Sequence, residues 1–495
     1  MGVVRNQSIK STFSFYFGMM IGAINTVIVY PNVFAEQPEH YGLIQILVSY
    51  ALVIATITTF GMPKAFVRFF PAIKEKGQLY FLCFIIPLIG FLLSVVSYYL
   101  FKAQIFELLN ASQLLRDNFF YIIILIFFIG FYDILTAISR AFFNTATPIF
   151  INEVFLKLYS LSMLILHWLG YIDFSTFLQF YILGYFLKFL ILFIIDFKNR
   201  YLNLSLSVSN LNIKEIINFG LFVLAGGASI IIVARLDMMM IASLLDLEQV
   251  AFYAVAFYIG NAIKIPARAI TSISTPLIAN AWERKDLKLI QKLYYKTSIN
   301  QLIIGGVFFL CIWLSIDDIF SLLPLKFQGG KWVVFFIGLS QLFNITTGIN
   351  GVIIINSSYY RYDFITNLIL LLFTFITNYI FIPSDWHMLG ISISGINGAA
   401  LATALSIFLF NTIRLLLIKI KMDIHPFDTK TIYVLICLIL IFISITFIPF
   451  TDIPILNIGL RSLVVVTLFL PMLFIFNLSE DITGLINDIK KRYIG

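Results

Sequence analysis

The chain has 495 residues, of which 60% are hydrophobic and only 12% charged, and its mean hydropathy is +0.98. A water-soluble domain carries about 25% charged residues to keep its surface wet, so this composition excludes a soluble globule and makes lipid the solvent. The net charge of +8 does not require nucleic acid, because its placement along the chain is that of a membrane protein.

Apolar blocks of about 20 residues, the length that crosses a hydrocarbon core, predict helices at 12–33, 41–62, 79–101, 119–143, 149–169 and 175–197. After a polar stretch come 219–243, 250–280, 296–316, 332–356, 362–382, 393–418, 431–449 and 457–477. The runs are continuous rather than alternating, so they read as helices, each closing its own backbone hydrogen bonds, and not as barrel strands. The fold class is an all-α polytopic membrane protein with about fourteen transmembrane helices. The organisation is an N-terminal lobe at 1–197, a cytoplasmic linker at 198–218 and a C-terminal lobe at 219–418. Two further helices follow in 419–477. The tail 478–495 has Leu478, Ile482, Leu485, Ile486, Ile489 and Tyr493 at helical spacing beside Lys490–Arg492, which reads as an amphipathic helix on the cytoplasmic leaflet.

Basic residues test the orientation. With the N-terminus inside, the predicted inner segments hold 23 Lys and Arg, Lys64, Arg68 and Arg414 among them; the outer segments hold 4, namely Lys102, Arg116, Lys326 and Lys331. This bias predicts cytoplasmic N- and C-termini in a bacterial inner membrane, and it directs the positive loops at anionic lipid rather than at nucleic acid. Arg5 and Lys10 precede a full-length apolar segment, so that segment is expected to act as signal and anchor without cleavage. Asn6 stands where a myristoylation motif has Ser or Thr, so no lipid anchor is expected.

A charge at the bilayer centre costs about 2.5–3.5 kcal/mol on insertion scales, so it must face a partner or a cavity. Intramembrane ionisable residues are Asp133, Glu153, Lys157, Lys188, Arg235, Asp237, Lys264, Arg268 and Arg461, with Arg140 at an inner helix end. The cations outnumber the acids, which fits a cavity that receives an anion. Lys264 and Arg268 are four apart on one helix face, a stripe continued by Asn261, Thr271 and Thr275. Lys264 falls roughly 21 Å from the outer end at 1.5 Å per residue. Together they suit a diphosphate; the alternative is that Arg268 snorkels to the inner interface while Lys264 pairs with a distant acid. Pro266 between them is expected to kink the helix.

Arg235 reads as a cavity cation and Asp237 as a structural partner nearer the outer interface. Asp133, Thr136, Arg140 and Asn144 make one polar face, on which Asp133 either carries a coupling proton or pairs with Lys157 or Lys188. Glu153 and Lys157, four apart, read as a structural pair. The glycine pairs 226–227, 305–306, 348/351 and 395/398 are expected to serve close helix packing or hinges. Cys83, Cys311 and Cys437 lie in apolar blocks without metal-ligand spacing, the four histidines form no cluster, and no phosphate-binding lysine loop is present. Neither metal nor cofactor is expected.

Two stretches carry a family resemblance. One is Glu39-His40-Tyr41-Gly42-Leu43-Ile44-Gln45, then Phe60-Gly61-Met62-Pro63-Lys64-Ala65 and Arg68-Phe69-Phe70-Pro71. The other is Arg235-Leu236-Asp237, then Glu248, Tyr253 and Ala256. With the twelve-plus-two layout, and a faint repeat between the openings of the second and eighth helices, the chain resembles the polysaccharide flippases (O-antigen and capsule exporters) of the multidrug/oligosaccharidyl-lipid/polysaccharide exporter superfamily, with a MATE-like fold. The resemblance implies two six-helix lobes around a central cavity and alternating access. It also implies a glycan on a polyprenyl-diphosphate carrier moved from the cytoplasmic to the periplasmic leaflet, driven by a proton or sodium gradient or by the membrane potential. The expected partners are that lipid-linked oligosaccharide, membrane lipids and H+ or Na+, and the expected state is a monomer. Two alternatives remain open: a MATE-type small-molecule or cation antiporter, which wants an acid-rich cavity, and a membrane-embedded polysaccharide polymerase, which wants a sizeable outer loop. The reading is of a transporter rather than an enzyme.

Overall fold

Residues 2–73, 76–202, 212–388, 390–446 and 451–484 are described by a computed structural model. Thirteen described helices are long and apolar enough to cross a membrane, and a bent pair makes a fourteenth. In chain order the spans are α1 (Ile9–Val33), α2 (Pro38–Thr58), α3 (Lys76–Leu108), α4 (Phe120–Ala141), α5 (Ala146–Trp168), α6 (Phe174–Lys198) and α7 (Ile213–Leu244). They continue as α8 (Leu247–Arg268), α9 (Leu287–Leu314), α10 (Leu325–Thr346 with Asn350–Asn356), α11 (Arg361–Phe381), α12 (Gly395–Met422), α13 (Thr429–Thr446) and α14 (Pro454–Ile475). Each coincides with an expected helix.

Polar residues at the starts fix several boundaries. Ser112, Asp173 and Asp286 each accept a hydrogen bond from the backbone N–H three residues on, at 3.3, 3.0 and 2.9 Å. Such caps satisfy donors that a helix N-terminus leaves open. Two features differ most from expectation. Helix α9 starts at Leu287 rather than 296, so Lys288, Lys292 and Lys296 ride on its first turns. The connection before α12 holds a two-stranded hairpin, β1 (Trp386–Met388) antiparallel to β2 (Ile391–Ile393), where no strand is expected. Of the tail, residues 480–484 are helical; Leu485 onwards, with Lys490–Arg492, lies outside the described residues, as do 203–211 of the 198–218 stretch and Lys74.

Several spans are not uniform α-helices. Helix α1 carries a π-helical turn at Ile24–Val29, and α5 carries one at Ile151–Phe155. Helix α8 passes through a 3-10 turn, Ala262–Lys264, and resumes as Ile265–Glu283. That break follows from Pro266, which has no N–H to close the α ladder. Helix α10 bends by 47° across Thr347–Ile349, where Gly348 has a left-handed φ of +67°.

Internal packing divides the chain into two compact units, 1–254 and 255–495. In 1–254 the core gathers the short helix Met62–Phe69, α3, α4 and α6 around Phe66, Tyr80, Leu135 and Leu192. In 255–495 one core joins α9, α13 and α14 through Leu302, Leu438 and Phe469. Among the expected packing glycines, Gly305 and Gly306 leave no room for a side chain: a Cβ there would fall 2.2 Å from Ile345 Cδ1 and 2.4 Å from Leu438 Cδ1.

A buried polar hub joins α10, α11 and α12. Asn411 Oδ1 accepts from Thr347 Oγ1 and Asn350 Nδ2, both at 3.0 Å, and Asn411 Nδ2 donates to Asn344 Oδ1 at 3.0 Å. Backbone carbonyls at the α10 bend are also taken up by side chains: the Thr346 carbonyl accepts from the Ser298 hydroxyl and the Asn344 carbonyl from the Thr347 hydroxyl. Nearby, Arg414 pairs with Asp363, donates to Thr366 Oγ1 and Asn367 Oδ1, and lies 4.0 Å over the Phe410 ring. Arg414 was expected among the inner-loop cations; it is instead inside α12 and buried. It therefore belongs to the unit's internal wiring and contributes nothing to the charge facing anionic lipid.

Two substitutions test these contacts. A Cβ at Gly398 would lie 2.3 Å from the Phe381 carbonyl oxygen, so Gly398→Ala should cost about 1–3 kcal/mol through forced backbone movement. Asp363→Ala strands Arg414 in the interior and should cost about 3–5 kcal/mol. Thermal unfolding in detergent measures both; an unchanged Tm in either variant would contradict the packing described.

Candidate functional site

The local fold that opens the site begins at the end of α2. Phe60 and Gly61 both take left-handed φ values, +49° and +68°, which reverse the chain into a short helix, Met62–Phe69, with Pro63 in its first turn. A Cβ on Gly61 would meet the Gly220 carbonyl oxygen at 2.3 Å, so glycine is required there for both conformation and close approach to α7. The short helix buries Met62, Ala65 and Phe66 in the core and turns Lys64, Val67 and Arg68 outwards. An amphipathic turn thereby becomes one wall of a cavity.

That cavity has a volume of about 500 Å³ and lies within the 1–254 unit. Its walls are the end of α2, the short helix, α4 and α7. Its ionisable lining is Lys64, Arg68 and Arg140 against one carboxylate, Asp133. Asp133 and Arg140 are exposed and Thr136 half-buried, so the polar stripe of α4 faces this space. Lys64 Nζ stands only 3.0 Å from where a Cβ of Gly227 would be: the glycine of α7 makes room for the ammonium. Arg68 lies 4.2 Å over the Phe219 ring, which holds a guanidinium that its charge alone would leave mobile. Arg68 also borders a second cavity of about 480 Å³, lined by Lys214, Glu215, Phe219 and Phe222 among others. The two spaces share this one cation.

A second polar cluster occupies the same unit. Lys188 is buried and donates to Asn152 Oδ1 at 3.1 Å, with its ammonium 4.4 and 4.8 Å from the Tyr132 and Tyr185 ring centroids. Asn152 in turn donates to Glu153 Oε1 at 3.1 Å. Glu153 Oε2 lies 2.8 Å from Lys157 Nζ, which also donates to the Gly18 carbonyl at 3.0 Å. The π-helical turn of α5 supplies both Asn152 and Glu153; a widened turn of this kind re-aims side chains without a proline. Facing it, Asn25 of the α1 π-turn donates to the Lys157 carbonyl at 3.0 Å. Arg235 is half-buried and interacts electrostatically with Tyr181 and Tyr185, whose hydroxyls are 3.5 Å apart.

Asp133 and Arg140 thus line one cavity, Lys188 and Arg235 share a tyrosine-rich cluster, and Glu153 meets Lys157. Asp237 is buried and accepts from the Tyr253 hydroxyl. Lys264 and Arg268 belong to the other unit: Lys264 ends the 3-10 turn half-buried, and Arg268 is exposed one turn later. Arg461 is tied to the Leu314 carbonyl and, at 2.9 Å, to Asp318. Lys64 and Arg68 are the residues that sequence reasoning missed as site residues, because they fall between apolar blocks and were counted as an inner loop. The signal that marks them is Gly61-Met62-Pro63, a left-handed turn followed by a helix start. Among the described residues, no group of three or more His, Cys, Asp or Glu could hold a metal ion.

The model of a family described as polysaccharide biosynthesis protein matches residues 7–282. A search of curated protein sequences finds no match. Among solved structures, the lipid II flippase MurJ in an inward-closed conformation superposes with a TM-score of 0.74 at 16% identity, covering 94% of this chain and 98% of that one. An inward-facing multidrug resistance MATE family transporter of the MOP superfamily gives a TM-score of 0.61 at 13% identity, covering 83% and 94%. A point mutant of the Vibrio cholerae MATE transporter VcmN gives 0.55 at 12% identity, covering 84% and 97%. At these identities the likeness is one of fold, the fold that these three proteins have.

Proposed function

The chain belongs to the polysaccharide biosynthesis protein family, and we propose that it is a flippase. It carries a polyprenyl-diphosphate-linked oligosaccharide from the cytoplasmic to the periplasmic leaflet by alternating access. The observation that carries this reading is the cavity of the 1–254 unit, in which Lys64, Arg68 and Arg140 face a single carboxylate, Asp133. A space with that balance in a low-dielectric surround attracts an anion, and guanidinium groups match the paired oxygens of a phosphate or diphosphate. Gly227 leaves room in the wall for the Lys64 ammonium. The neighbouring cavity that shares Arg68 offers Phe219 and Phe222, apolar surface beside cations, as suits a lipid carrying a charged head.

The likeness to a lipid II flippase supports the same class of cargo. A MATE-type antiporter of organic cations would want the opposite charge balance in this space. Arg235, Lys188, Lys264 and Arg268 are proposed as further contacts for the anionic cargo along its path, and the pair Glu153–Lys157 as structural. Localisation in the bacterial inner membrane, with both termini cytoplasmic and one chain sufficient for the cycle, completes the proposal; the bias of basic residues to alternate connections supports the orientation.

Reconstitution in liposomes with a fluorescent polyprenyl-diphosphate oligosaccharide tests it. Lys64→Ala, Arg68→Ala and Arg140→Ala should each slow transfer between leaflets by roughly 10-fold or more, since a charged hydrogen bond contributes about 1.5–3 kcal/mol. Unchanged transfer in all three variants would remove the cavity from the mechanism. Export of a cationic dye by a protein that transfers no lipid-linked glycan would move it to the antiporter class.

A further inference from the structure

One buried acid is left unused by the cavity and by every ion pair described. Asp196 lies in the last turn of α6 and is fully buried. The Ser139 hydroxyl of α4 donates to its Oδ1 at 2.7 Å, and its Oδ2 has no hydrogen-bond partner among the described residues. The groups that face it are few. From α3 comes the Tyr80 hydroxyl, which donates to the Tyr201 carbonyl. From α4 comes Ser139. Lys198 and Arg200, which follow along the chain, and Arg140, next to Ser139, are exposed and form no ion pair with it among the described residues.

A carboxylate in that position would meet three penalties at once. It would be desolvated with no cation among the described residues to compensate. One oxygen would lack a donor. It would also stand at the negative end of the α6 dipole, where an anion is disfavoured. A proton on Oδ2 removes the charge, and with it the first and third of these. Asp133, the acid expected to carry a coupling proton, is placed differently: it is exposed in the cavity, with Lys188 and Arg140 acting on it, and is a charge partner of the anion site.

We infer that Asp196 is a proton-binding site, and that its proton is the coupling ion of the transport cycle. The inference rests on the flippase reading and names what drives it. The link to the cavity is covalent: Ser139, which holds Asp196, and Arg140, which faces the cargo, are consecutive on α4. A displacement of α4 that draws Arg140 onto an anion also acts on the Ser139–Asp196 hydrogen bond. When that bond opens and water reaches Oδ2, the O–H bond breaks, the proton passes to water, and the carboxylate left behind is stabilised by hydration. Reprotonation from water restores the buried neutral acid.

Infrared spectroscopy of the full chain in nanodiscs, with transport measured alongside, tests this. The wild type should show the carbonyl stretch of a protonated buried carboxyl at neutral pH, and Asp196→Asn should lack it. Ser139→Ala should shift the frequency of the same band, an effect that general destabilisation does not mimic. Transfer of the fluorescent lipid-linked glycan by the wild type should be accelerated by a pH gradient, and in Asp196→Asn that acceleration should fall to none. A band that persists in Asp196→Asn, one that disappears instead in Asp133→Asn, or an undiminished gradient response in Asp196→Asn would overturn the assignment. A wild type with the Asp196 band but no glycan transfer under any gradient would overturn the coupling role and the flippase reading, and would leave the proton site standing.

Discussion

The cost of taking a charge out of water governs this molecule more than any other single term. In hydrocarbon an ion needs a counter-ion, an aromatic face, a wet cavity or a proton, since bare burial costs several kcal/mol. Each solution is visible at a named residue. Glu153 and Lys157 pair at 2.8 Å, and Arg414 is enclosed by Asp363, Thr366 and Asn367. Lys188 rests between two tyrosine rings, and Arg68 lies on Phe219. Lys64, Arg140 and Asp133 open onto a cavity. Once the paired charges are set aside, the ones that line the 1–254 cavity are mainly cationic, Arg68 among them, and we propose that an anionic cargo finds its contacts there.

The helix irregularities follow from the same constraint. A backbone break inside a membrane exposes polar groups that lipid cannot satisfy, so breaks occur where side chains take over. At the α10 bend, the Ser298 hydroxyl reaches the Thr346 carbonyl and the Thr347 hydroxyl the Asn344 carbonyl. At the π-turns of α1 and α5, Asn25 reaches the Lys157 backbone, and Asn152 and Glu153 reach two lysines. Polar side chains in these spans thus serve the backbone as well as the site, and a list of intramembrane polar residues is not by itself a list of functional ones.

This explains what could be read in the sequence. All fourteen spans were legible, because the bilayer imposes a run length that no other feature of the chain imitates. Pro266 announced the α8 break; nothing comparable announces the π-turns, which depend on a partner helix more than a hundred residues away. Of the cavity, Asp133 and Arg140 were legible as a polar stripe at helical spacing. Lys64 and Arg68 were hidden because counting basic residues by alternate connections assigns any cation between apolar blocks to a loop, whereas a left-handed Gly61 folds them back as a helix. Arg414 was misassigned for the converse reason: it is near a helix end in sequence, and only the tertiary fold brings Asp363 to it. Asp196 passed unnoticed at the end of its helix, since its significance lies in partners it lacks.

The account's central claim is that the cations of the 1–254 cavity recognise the diphosphate of a lipid-linked saccharide. Equilibrium binding to the purified protein of three lipids of equal chain length, a polyprenyl diphosphate, a polyprenyl monophosphate and the neutral polyprenol, tests it most directly. The predicted result is an affinity that falls in that order, weakens with added salt, and loses its preference for the diphosphate in Arg68→Gln/Arg140→Gln. Equal affinity for the neutral polyprenol, or a preference untouched by removing both guanidinium groups, would contradict it.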